Sequence, residues 1–108
     1  MSVIKVYGYV VNEDAVLQHG LAKGYGTAGN TYERHDTMME SFVEIADRAR
    51  IFGHARFVGV LVKGKPRKCI ALACNDPDDP LPMPPRRMID SLKEVLETDR
   101  EPRWYIYD

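Results

Sequence analysis

Residues 3 to 11 read Val-Ile-Lys-Val-Tyr-Gly-Tyr-Val-Val, a run of β-branched and aromatic side chains that stops at Asn12-Glu13-Asp14. The run predicts a first strand, and the asparagine with two acids predicts a short helix over 13 to 22, carrying Val16, Leu17 and Leu21 before Gly24. Further along, Met38, Phe42, Ile45 and Ala49 recur every three or four residues, with Glu40, Glu44, Asp47, Arg48 and Arg50 between them. That period predicts an amphipathic second helix, and Thr37 with Glu40 three residues later fits a capping box at its start. Residues 23 to 36 follow neither period and hold Gly24, Gly26 and Gly29, so a long loop is expected there.

Two short apolar runs, 57 to 62 and 69 to 74, flank the charged segment Lys63-Gly64-Lys65-Pro66-Arg67-Lys68 and read as a hairpin. Residues 75 to 85 hold five of the seven prolines and should be extended. Pro85 suits the first position of a third helix, whose face is Met88, Ile89, Leu92, Val95 and Leu96 and which runs to about Thr98. Arg103 to Tyr107 forms a closing aromatic strand. This order resembles the ferredoxin-like split βαβ motif. The expected fold is therefore one α+β domain over 1 to 108, a four-stranded antiparallel sheet with helices on one face and the short helix across its end.

Composition narrows the function classes. The chain has 108 residues, 44% hydrophobic and 29% charged, the balance of a domain that folds by itself. Fifteen Lys and Arg against sixteen Asp and Glu leave a net charge of -1, which speaks against a global attraction to nucleic acid or anionic membrane. The first residues lack the charged and apolar regions of a secretory signal, and no apolar run reaches the ~20 residues of a membrane span. Cys69 and Cys74 sit at an odd separation on one expected strand, hence on opposite faces and roughly 16 Å apart, too far for a disulfide. Two reduced thiols point to the cytoplasm.

Candidate chemistry falls on several surfaces. The first hairpin strand is apolar on both sides, Phe57 and Leu61 on one and Val58, Val60 and Val62 on the other, and it is an edge strand in the expected order. An uncovered edge of this kind predicts self-association, a homodimer or a partner protein on the sheet. Lys23, Gly24, Gly26 and Gly29, with Tyr7 and Tyr9 on the first strand, are the expected ligand contacts, able to hold a small anion. An enzyme with a pocket under residues 23 to 36 would use His35, Tyr25 or Tyr32, since Asp36 beside His35 could orient a general base. Lys63, Lys65, Arg67 and Lys68 form a basic tip that would carry weak nucleic-acid binding, but the expected third strand lacks the aromatic pattern of an RNA-recognition motif. Arg86 and Arg87 have Asp76, Asp78 and Asp79 as expected partners. No spacing of His19, His35 and His54 suggests a metal site, and no cofactor motif stands in its required context. The chain is therefore expected to be a small cytosolic binding module, non-catalytic and self-associating through its sheet, for a partner protein or small ligand. An enzyme or anion-binding protein is the alternative, and a nucleic-acid binder the last.

Overall fold

The computed structural model describes residues 3 to 108. Its strands are β1 (Lys5–Val11), β2 (Arg56–Val62), β3 (Lys65–Cys74) and β4 (Arg103–Tyr107), and its helices α1 (Glu13–Ala22), α2 (Thr31–Arg48) and α3 (Arg86–Leu96). No helix among the described residues is long and apolar enough to cross a membrane.

The helix starts follow from side-chain caps. Asn12 accepts a hydrogen bond from the Ala15 amide at 3.0 Å and so opens α1. α2 begins six residues before Thr37. Its cap is Asn30, whose Oδ1 accepts from the Glu33 amide at 2.9 Å, while the Glu33 carboxylate reaches back to the Gly29 amide at 2.7 Å. Asn-x-x-Glu therefore performs the reciprocal capping expected of Thr37 and Glu40. Thr37 is buried inside the helix, where its hydroxyl donates to the Thr27 carbonyl at 2.8 Å. The long loop expected over 23 to 36 is thus only the stretch from Lys23 to Asn30.

Antiparallel ladders join β1 to β3, β2 to β3 and β1 to β4. A fourth ladder, Val60 with Tyr107 and Leu61 with Ile106, joins β2 to β4, and the order β1-β3-β2-β4 closes into a small barrel. The open ferredoxin-like sheet is therefore wrong: β2 is not an edge strand. Ile106 pairs with Lys5 on one side and Leu61 on the other, and the Asp108 amide adds a bond to the Gly59 carbonyl at 3.1 Å. Twisted strands that are apolar on both faces can bury the second face by curling over it, and closure also removes the unpaired backbone of an edge.

Two cores result. On the helix side, Tyr9, Ile70 and Leu72 pack against Phe42, Ala46 and Ala49 of the α2 region and Ile89 and Leu92 of α3. Inside the barrel lie Val6, Val60, Cys69, Ala71 and Cys74, with Val10, Val58, Val62 and Tyr105 around them. α1 adds Val16 and Leu17 against Met38.

Both cysteines share the barrel interior, against the expectation from their odd spacing. A register shift between Tyr7 and Gly8, opposite Ala73 and Ala71, inserts Leu72 as an extra residue in β3 and restores the phase. The hairpin is tighter than expected. Lys63 and Gly64 alone make the turn, with φ of 53° and 77°, the paired positive angles of a type I′ connection. Lys65, Arg67 and Lys68 consequently stand in β3, the first two on one side and Lys68 on the other.

At Gly8 a Cβ would lie 2.0 Å from the Ile70 carbonyl oxygen and 2.9 Å from the Ala71 Cα, both backbone. Gly8→Ala should therefore lower stability by about 1–3 kcal/mol, read as a fall in the urea midpoint at unchanged slope.

Candidate functional site

The β1 to β4 ladder stops at Gly8 opposite Arg103. The next residue along, Pro102, has no N–H to donate, so the ladder cannot continue. α3 ends at Glu97 in the left-handed conformation, φ 55° and ψ 47°, which turns the chain out before it reaches β4. Among the described residues, no backbone hydrogen bond joins 9 to 11 with 98 to 102. One side chain spans the gap: the buried Tyr9 donates its hydroxyl proton to the Arg100 carbonyl at 2.6 Å.

Cavities open on either side of this strut, and Tyr9, Val10 and Arg100 line both. The larger, about 480 Å³, lies on the helix side. Val11, Val16, Ile45, Val95 and Leu96 supply its apolar wall, and Asn12, His19, Arg48, Glu97, Thr98 and Arg100 its polar one. Of these, His19 and Arg48 are engaged by Glu44, whose Oε2 is 2.6 Å from His19 Nε2 and whose Oε1 is 3.8 Å from Arg48 Nη1.

The smaller cavity, about 240 Å³, sits at the barrel mouth and is lined by Val10, Tyr105, Arg67, Arg100, Arg103 and Glu101. Arg67 shares the inward face of β3 with Cys69; Arg103 shares a face of β4 with Tyr105. Among the described residues, none of these three arginines has a carboxylate within 4.0 Å. Glu101, the acid in the wall, is bound by Arg86 and Lys93 instead. The mouth thus brings together three arginines with no carboxylate within 4.0 Å among the described residues, beside a carboxylate already bound by two other cations.

The residues singled out from sequence are dispersed. Val60 is wholly buried, and Val58 and Val62 pack against the barrel interior. Phe57 stacks on Phe42 with ring centroids 5.3 Å apart, and Leu61 is half-buried beside Ile106. On β4, Trp104, Ile106 and Tyr107 are exposed, at 45%, 46% and 42%. His35 is exposed on α2, and Tyr32 is 84% exposed. Tyr25 borders a shallow depression with Phe52 whose polar wall is Glu40, Glu44 and Asp47, the wrong sign for an anion. Lys23, Gly24 and Gly26 are exposed, and the Gly29 amide already holds Glu33. Tyr7 packs on Trp104 with centroids 5.2 Å apart. Lys63 and Lys65 are exposed to solvent, and within the basic tip Arg67 alone reaches the mouth cavity.

Arg86 pairs with Asp90 and Glu101 rather than with Asp76, Asp78 or Asp79, and Asp79 is taken by Arg56. His54 contacts the Leu72 carbonyl through Nε2 at 2.7 Å. No group of three metal-ligating side chains assembles among the described residues.

The sequence placed Arg67 with the hairpin tip alone, whereas Arg67 also lines the mouth, and it did not single out Arg100 and Arg103. The available signal was Pro102 between them, in the segment that had to pair with β1. No family model matches the chain, and neither a curated protein nor a solved structure is significantly similar to it. The chemistry of the cleft is read from its own residues.

Burial raises the Tyr9 phenol above its ordinary 10.0 and pushes the Cys69 thiol up from 9.0 to about 12. Both groups are favoured neutral in the folded state, so their contribution is complete below pH 9 and is lost as pH climbs through the folded values. Stability should hold through neutral pH and fall between pH 9 and about 12, and Cys69 should resist a thiol reagent until the chain is unfolded. Tyr9→Phe removes the strut hydrogen bond and should cost about 1 kcal/mol in chemical denaturation.

Proposed function

We propose that this protein is a binding module for a small organic anion, received in the cleft between β1 and the segment from Glu97 to Arg103. The observation that carries this reading is the convergence of Arg67, Arg100 and Arg103 on one cavity with no acid partner. Guanidinium forks form paired, charge-assisted hydrogen bonds to carboxylates and phosphates, each about 1.5–3 kcal/mol, and barrel mouths are common places for ligands. The remaining charge supports the choice of ligand. With a net charge of -1, the protein has no global field to draw in a nucleic acid, which favours a small anion held at a local basic mouth. Free, buried Cys69 and Cys74 fit a reducing compartment, so the ligand belongs to the cell interior.

Inorganic phosphate, pyrophosphate and citrate should each raise the melting temperature at low ionic strength, corresponding to about 2.7 kcal/mol at 100 times the dissociation constant. The double variant Arg67→Ala/Arg103→Ala should abolish the rise. Lys63→Ala, at the hairpin turn, should leave it intact. Equal responses from the two variants would remove the barrel mouth as the binding site.

A further inference from the structure

The cleft has two lobes of opposite character, and resting on the anion-binding reading, we infer that its ligand is an amphipathic phosphate monoester. The head lies at the barrel mouth and the apolar body in the larger lobe. Three features carry the assignment. Tyr9, Val10 and Arg100 line both cavities, so one molecule bent past the Tyr9 hydroxyl touches both. In the larger lobe His19 and Arg48 are turned to Glu44, and beside the polar rim of Asn12, Glu97 and Thr98 the half-buried Val11, Ile45, Val95 and Leu96 form an apolar wall that a ligand would cover. At about 480 Å³ that lobe is of ligand size by itself, and an inorganic ion would leave its apolar wall in water.

The number of arginines selects the head group. A carboxylate has two oxygens and satisfies one fork or two. A phosphate monoester has three terminal oxygens and carries about −1.5 to −2 charge at neutral pH. That matches three arginines lining a cavity of about 240 Å³. Glu101 does not oppose it, because Arg86 and Lys93 hold that carboxylate.

The test is calorimetric titration of the full chain at low salt with phosphate, methyl, butyl and hexyl phosphate, and with hexanoate and hexanol. Affinity should rise about fourfold for each methylene that enters the larger lobe. Hexyl phosphate should exceed hexanoate by at least about tenfold, and hexanol should give no heat. Ala15 is exposed at the rim of the larger lobe. Ala15→Phe, checked for folding by its thermal melt, should return hexyl phosphate to the affinity of phosphate while leaving phosphate itself unchanged; Val95→Thr should show the same trend more weakly. Phosphate binding with a flat chain-length series would overturn the amphipathic ligand and leave the anion site standing. Hexanoate as tight as hexyl phosphate would overturn the choice of head group. Silence from every anion would overturn both readings.

Discussion

The hydrogen bonds between β2 and β4 are the constraint on which the rest depends. Two residue pairs make that ladder, Val60 with Tyr107 and Leu61 with Ile106, extended by the Asp108 amide to Gly59. Without them, Val58, Val60 and Val62 would face water on one side of an open sheet. With them, that side becomes an interior filled by Val6, Cys69, Ala71 and Cys74. A few backbone bonds thus stand at the seam between two cores, and burial on both sides of it, rather than the bonds themselves, supplies most of the stabilisation.

The same short strand creates the cleft. β4 must reach β2 at one end, yet at the other it cannot follow β1 past Gly8, because Pro102 interrupts the pairing. The barrel is sealed along most of its circumference and split near residues 9 to 11. Tyr9 keeps the split at a set width by bonding to Arg100. The arginines then fall around the opening from three directions: Arg67 from the start of β3, Arg100 from the connecting segment and Arg103 from the start of β4. Their charges are tolerated together because they are solvated, which lowers the mutual repulsion and leaves them available to an anion.

Alternation and period were enough to locate four strands and three helices, since β-branched runs and three-to-four spacing report burial directly. The start of α2 was harder to see. Asn30 and Glu33 cap as well as Thr37 and Glu40 would, and the polar turn from Thr31 to Asp36 carries no apolar signal to mark it as helix. The two-residue turn at Lys63-Gly64 was hidden among neighbouring charges, and the bulge opposite Gly8, which sets both cysteines inward, has no mark in a local pattern.

Composition and patterning by themselves determined that this is an α+β chain and that its strands between residues 57 and 74 are apolar on both sides. They could not decide what covers the second side, because another chain, a loop or the sheet itself would meet the same hydrophobic requirement. Tertiary structure made that choice, through residues as distant in sequence as Val60 and Tyr107. It also gathered Arg67, Arg100 and Arg103 at one mouth. A basic site of this kind is a property of where separate strand ends meet, and no single stretch of sequence contains it.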